Sequence, residues 1–241
     1  MPDFEIKEWN QETFGFERHR QQNRFFDLVC KEGLWAFIAD YVRLQVLISE
    51  GGLYLDTDVQ VLRDFTPLLH HDVFMGMRSD EQLVEPAIIG AKAGAAPIKA
   101  MLDFYDEEVW RSPDFLMPDI STKVIVKRYG LKELKDEDQY FSKDDFQIYK
   151  SDLLFPYTPQ EIISPDFHQK KLSTAYSIHW WTNSGYNLSR QYKMKTKHLP
   201  KSVRVKKEIS HYIKTYIAKP IDRLLGFKKL KRALRKARNE A

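Results

Sequence analysis

The sequence predicts an α/β sandwich, and three observations carry that prediction. Leu34 to Ser49 places apolar residues every three to four positions, the period of an amphipathic helix. Gly52 to Val61, Val73 to Met77 and Ala87 to Ala91 are short apolar runs of strand length. Pro97 to Trp110 and Ile120 to Tyr129 are again helical in pattern. Short strands interleaved with helices indicate a sheet covered by helices.

Taken in order, Phe4-Glu5-Ile6-Lys7-Glu8-Trp9 alternates apolar and charged residues, which predicts a short strand. Asn10 to Arg20 is polar and reads as a loop or a frayed turn. Asn23 to Lys31 predicts a helix with Phe26, Val29 and Cys30 near one face, broken at Gly33. The next helix carries Leu34, Ile38, Tyr41, Leu44 or Gln45, and Ile48 on one side, and Gly51 supplies its stop. Asp40 and Arg43 lie at i and i+3 on it, neighbours on its surface. An exposed pair of this kind contributes only a few tenths of a kcal/mol. Here the apolar neighbours predict a buried pair, which is costly to desolvate. Gly52 to Val61 follows as one strand, Pro67-Leu68-Leu69 as a helical turn, and Val73 to Met77 and Ala87 to Ala91 as two strands. Pro97 at a first helical turn is well placed. Gly130 closes the helix that begins at Ile120. Phe146 to Tyr149, a Pro-rich stretch from Phe155 to Pro159, and an aromatic strand from Tyr176 to Trp181 complete the body.

Composition bounds the rest. The length of 241 residues predicts one large domain or a domain with an appendage. The one cysteine, Cys30, excludes an internal disulfide and fits a reducing compartment; its ordinary role is a small core residue. No apolar run reaches the roughly 18–20 residues of a membrane span. The N-terminus has no charged-then-apolar leader, so the expected location is cytoplasmic. Of the 38 Lys and Arg, 18 fall in Arg190–Ala241 against 3 of the 34 Asp and Glu, a net of +15, while the remainder carries −11. That shift divides the chain into a body at 1–189 and a basic helical tail at 190–241. Within the tail, Ile209, Tyr212, Ile213, Tyr216 and Ile217, then Leu224, Leu225, Phe227, Leu230 and Leu234, recur at helical spacing among the cations. Such a basic amphipathic segment suits an anionic membrane surface, and the expectation is peripheral attachment to the inner membrane face. A solvated helix packed on the acidic body is the alternative. No nucleic-acid motif accompanies the charge.

The stretch that concentrates chemistry is Gly51-Gly52-Leu53-Tyr54-Leu55-Asp56-Thr57-Asp58-Val59. On a regular strand, residues i and i+2 point to the same side, so Asp56 and Asp58 would aim two anions at one point. Two close carboxylates repel and raise each other's pKa unless a cation lies between them. Oxygen ligands of this kind suit Mg²⁺ or Mn²⁺. The plain alternative is a solvated turn with two surface aspartates.

Three blocks together resemble the glycosyltransferases that share a DXD sugar-nucleotide motif, and most of all glycosyltransferase family 32. They are Phe4 to Asn10, Ala39-Asp40-Tyr41-Val42-Arg43-Leu44, and Gly51 to Val59, with a weaker match at Tyr176 to Trp180. The resemblance covers roughly Met1 to Tyr186. It extends to transferases of capsular polysaccharide and lipopolysaccharide synthesis, to yeast mannosyltransferases and, more distantly, to the catalytic domains of clostridial toxins. It implies a GT-A-like nucleotide-sugar-binding fold, a nucleoside-diphosphate sugar donor, with UDP as the expected nucleotide, and Mn²⁺ or Mg²⁺. By that analogy Asp58 ligates the metal, Asp56 touches the ribose and the metal's shell, and Asp40 bonds donor-sugar hydroxyls. Arg43 sits by the sugar and diphosphate, and Tyr54 packs near the donor. His179 and Ser184 keep the family's His-to-Ser spacing and complete the metal site. Gly185 stands where the family has Trp, and Trp180 or Trp181 would substitute in covering the donor. Members usually begin earlier, with a strand of the form Ile-Pro-Lys-x-Ile-His, so the expectation is either a misplaced start or an N-terminally truncated GT-A-like fold. Near Pro86-Ala87 the family often has Asn, and this chain has none.

The chemistry so implied is transfer of a hexose from the donor to a glycan or lipid-linked acceptor, with retention at the anomeric carbon. No glycosidase-type carboxylate pair and no enzyme nucleophile is evident in the sequence. The competing classes are a non-catalytic, decayed transferase that binds a glycan or scaffolds a synthesis complex, and a metal-dependent phosphohydrolase, which would need further ligands.

Overall fold

The computed structural model describes residues 4–110, 112, 114, 116–162 and 172–181. A five-stranded mixed sheet in the order β1-β4-β3-β6-β5 forms the centre: β1 (Gly52–Leu55), β3 (Val73–Arg78), β4 (Leu83–Ala91), β5 (Gln139–Phe141) and β6 (Phe146–Tyr149). Only β3 and β6 pair in parallel; the other neighbours are antiparallel. β3 and β4 are flanked on both edges and buried over almost their whole length, which is why they read as continuous apolar runs rather than alternating ones. A separate two-stranded ribbon joins β2 (Val59–Val61) to β7 (Ser177–His179).

The helices follow their caps. Asn10 accepts from the Glu12 and Thr13 N–H groups, and the Thr13 hydroxyl accepts from the Asn10 N–H, a reciprocal capping box that starts α1 (Gln11–Phe14). Gly15 turns left-handed at φ 74° and α2 (Phe16–Gln22) begins directly after it. The loop or frayed turn expected over Asn10 to Arg20 is therefore two short helices, the first started by the Asn10 capping box and the second without a side-chain cap. Asn23 caps α3 (Arg24–Lys31) through the Phe26 N–H. α4 (Trp35–Glu50) matches the strongest sequence expectation and buries Phe37, Ile38, Tyr41, Leu44 and Leu47. α5 (Ala96–Asp103) and α6 (Met117–Tyr129) pack on each other, α4 packs on α5 and reaches β1, and α6 lies on β4. The helix expected over Pro97 to Trp110 changes at Phe104–Glu108 into a widened π turn. Two single-turn helices, α7 (Ser151–Leu154) and α8 (Pro159–Ile162), follow β6.

Two strand expectations change. Phe4 to Trp9 has no regular structure: Phe4 packs on the core, Ile6 is 94% exposed, and the segment pairs with no strand. Alternation without a hydrogen-bonded neighbour does not make a strand. The single strand expected over Gly52 to Val61 is broken at Asp56–Asp58, where a turn is closed by the Val59 N–H donating to the Asp56 carbonyl at 3.0 Å. The Asp56 N–H still donates to the Ala87 carbonyl at 2.8 Å, so β1 ends there and β2 departs to the ribbon.

A bulge in β4 completes the scaffold. Against β3, Phe74 faces Gly90 and Gly76 faces Glu85, so four β4 residues, Pro86 to Ile89, stand opposite Met75 alone. Proline cannot donate to a ladder and is tolerated in a central strand at such a bulge. Gly76 and Gly90 have no side chain because Phe155 and Phe74 lie where a Cβ would be.

Candidate functional site

α4 delivers Asp40 and Arg43 to the sheet end where β1 stops. Asp40 Oδ1 lies 2.9 Å from Arg43 Nη2, and the two side chains are 12% and 7% exposed, so the pair is buried rather than solvated. Arg43 Nη1 donates to the Pro86 carbonyl at 3.0 Å and lies 3.2 Å from Asp56 Oδ1. The guanidinium also lies 4.3 Å from the centre of the Tyr54 ring. Tyr54 in turn donates its hydroxyl to Asp56 Oδ1 at 2.6 Å. Tyr54 and Asp56 are two apart along an extended chain and share a side, which makes this bond possible. One arginine thus joins two carboxylates, a bulge carbonyl and an aromatic face. The planar five-donor fork of Arg suits that geometry and the ammonium of Lys does not.

Electrostatics follow from burial. Desolvation pushes the Asp40 carboxyl up to about 6, against the pull of Arg43 and with Asp56 adding to the rise. Burial works against the Arg43 cation, yet Tyr54, Asp40 and Asp56 outweigh it and its pKa is raised.

The second half of the site comes from the ribbon. Val59 pairs with His179, and the Trp180 N–H donates to the Asp58 carbonyl at 3.0 Å. This register sets the His179 Nε2 3.1 Å from Asp58 Oδ1. Burial lowers the His179 pKa, Asp58 and Asp56 opposing it, which favours the neutral imidazole that metals accept. Asp56, Asp58 and His179 each offer one ligand atom within 4.8 Å of the others. His179 Nδ1 is buried and has no hydrogen-bond partner among the described residues. Two carboxylates and a neutral imidazole fit Mn²⁺, and fit Mg²⁺ through the oxygens. The convergence expected of Asp56 and Asp58 is present, but through a turn and a distant histidine instead of the i, i+2 geometry of a strand.

The structure therefore gathers Asp40, Arg43, Tyr54, Asp56, Asp58 and His179. Trp180 donates its indole N–H to Gln60 Oε1 at 3.2 Å, alongside the ribbon. Ser184 and the basic tail lie outside the described residues. Sequence reasoning passed over Glu85, 4% exposed in the middle of β4. Its Oε2 lies 3.3 Å from Arg78 Nη1, and burial pushes its carboxyl up to about 8; Arg78 and Arg43 oppose that rise and Asp56 adds to it. An ionisable residue inside an otherwise apolar strand run, next to proline, was the available signal.

No curated protein matches the chain. Residues 1–75, which carry Asp40, Arg43, Tyr54, Asp56 and Asp58, match the family model described as the glycosyltransferase sugar-binding region containing the DXD motif, and this supports a glycosyltransferase family for the chain.

Proposed function

We propose that the protein is a divalent-metal-dependent glycosyltransferase of the family 32 type. It moves a hexose from a nucleoside-diphosphate sugar, with UDP the favoured nucleotide, to a glycan or lipid-linked acceptor in surface polysaccharide synthesis. The observation that carries this reading is the meeting of Asp56, Asp58 and His179 within 4.8 Å beside the buried Asp40–Arg43 pair. Asp58 and His179 would hold the cation, with Asp56 shared between it and Arg43, and Ser184 as a further ligand. A bound Mn²⁺ or Mg²⁺ supplies neutralisation of the charge that develops on the leaving diphosphate. Arg43 adds a second fixed cation on the same side, and its bonds to Pro86 and Asp40 hold it there before substrate arrives. Asp40, anchored by Arg43, presents acceptor oxygens to donor-sugar hydroxyls. Tyr54 holds Asp56 in place, and Trp180 is the candidate cover for the donor. Retention of configuration by front-face transfer is the stereochemistry that the family resemblance favours.

The cationic amphipathic pattern from Arg190 onward supports a peripheral membrane location, where a lipid-linked acceptor would be met. Deleting residues 190–241 should abolish sedimentation with anionic vesicles; unchanged binding would refute that part.

The deciding experiment is calorimetry of the full chain with UDP and Mn²⁺, followed by a panel of nucleotide sugars. Mn²⁺-dependent nucleotide binding and release of nucleotide from one sugar donor are expected. No nucleotide binding with or without Mn²⁺ would overturn the proposal.

A further inference from the structure

Histidines that bind metals ordinarily donate their second ring N–H to a carboxylate, carbonyl or water, which fixes the ring's rotation. His179 departs from this, since its Nδ1 is buried without a partner among the described residues. Aromatic side chains pack against the imidazole. The Trp181 indole lies 3.9 Å from the His179 ring, centre to centre, with 38° between the planes. Phe155 stands 6.0 Å away at 61°, edge-on to the same imidazole.

Trp181 is itself tied down. Its Nε1–H donates to the Tyr157 carbonyl at 3.0 Å. The Arg78 guanidinium lies 5.5 Å from its ring centre, and Arg78 is held by Asp80 at 2.8 Å and Glu81 at 2.9 Å. Its backbone sits at φ +52°, a left-handed conformation that a bulky residue keeps only when its surroundings impose it.

We infer that Trp181 is the positioning residue for His179: its indole, anchored by Tyr157 and Arg78, holds the imidazole in the orientation that a divalent cation needs. The work usually done by a polar second partner is done here by an aromatic face. The inference rests on the reading of Asp56, Asp58 and His179 as a cation site.

The test is Mn²⁺ binding by the full chain, followed by calorimetry and by the electron paramagnetic resonance signal of the bound ion, with no substrate present. Trp181→Leu and Trp181→Ala, which lack a π face, should weaken Mn²⁺ binding about tenfold or more, the range seen when a ligand's supporting partner is lost. Trp181→Phe, which keeps a ring, should recover most of that loss. Melting of the metal-free variants separates folding from binding, and the comparison is made among variants that melt cooperatively. Mn²⁺ binding by wild type together with equal binding by the folded Leu and Ala variants would overturn this inference and leave the cation site standing. Loss of binding in Trp181→Phe as deep as in Trp181→Leu would also overturn it. Absence of Mn²⁺ binding by wild type would overturn the cation site and this inference with it.

Discussion

The His179 imidazole meets the Asp58 carboxylate at 3.1 Å, joining two residues that are 121 positions apart in the chain. The DXD turn is thus met by a side chain from a strand far along the chain. Replacing either partner should show it: Asp58→Ala and His179→Ala are each expected to weaken Mn²⁺ binding and to lower sugar transfer about 100-fold or more at fixed Mn²⁺. Turnover of Asp58→Ala at the wild-type rate with excess Mn²⁺ would remove Asp58 from the metal's shell.

Arg43 and Asp40 should separate stability from activity. Arg43→Ala leaves two carboxylates and a carbonyl facing an empty volume, and a buried charge pair broken on one side costs about 3–5 kcal/mol. Arg43→Lys restores charge without the fork and should recover stability only in part. Asp40→Asn keeps the volume and a partner for Arg43, so its melting temperature should fall little while transfer falls at least about tenfold. Equal losses of melting temperature and turnover in Asp40→Asn would assign that carboxylate to the fold alone.

Glu85 predicts a pH dependence of stability. In the folded chain its carboxyl is pushed up to about 8, chiefly by burial, with Arg78, Asp56, Arg43 and the Ala87 N–H as its surroundings. Unfolded, it ionises near about 4.3. Between those values the folded state holds a proton that the unfolded state has released, so stability falls as pH rises and levels off above about 8. Glu85→Gln mimics the protonated group and removes this slope. Its melting temperature should gain on wild type as pH rises from 5 to about 8 and hold that gain above it. Parallel melting curves across that range would show that Glu85 is ionised in the folded chain.

Gly51 closes α4 and opens the DXD stretch at φ +72°, and a Cβ there would lie 2.7 Å from the Ala93 nitrogen and 2.8 Å from the Ala91 carbonyl oxygen. Those are backbone atoms of a strand end, which yield less readily than a side chain. Gly51→Ala should destabilise the chain by about 1–3 kcal/mol. Thermal melting checks this, and a change within error would mean that the α4–β1 corner is more pliant than its packing indicates.

How much of this was legible depends on the range of the forces involved. α4 was readable because one helix face writes itself at fixed spacing, and the burial of Asp40 and Arg43 followed from their apolar neighbours. β3 and the second half of β4 were readable as apolar runs. The break at Asp56 was not, because the partner that draws β2 away is Ser177–His179, and no local pattern announces so distant a pairing. The bulge at Pro86 to Ile89 was hidden in the same way, although proline inside a central strand was its trace. The helix over Gln11–Phe14 was missed through one residue: Asn10 is a cap, and it was read as loop composition. Trp181 entered the sequence reading as the end of an aromatic strand and as a stand-in cover for the donor, while its packing on His179 goes with a left-handed backbone that the residues do not spell out.

The two aspartates of the DXD turn hang from different scaffolds: Asp56 directly follows an edge strand of the main sheet, and Asp58 directly precedes the β2–β7 ribbon. A cation gripping both would therefore act as a rivet between sheet and ribbon, and its occupancy should slow amide hydrogen exchange at Val59, Gln60 and Ile178 far more than in the centre of β3.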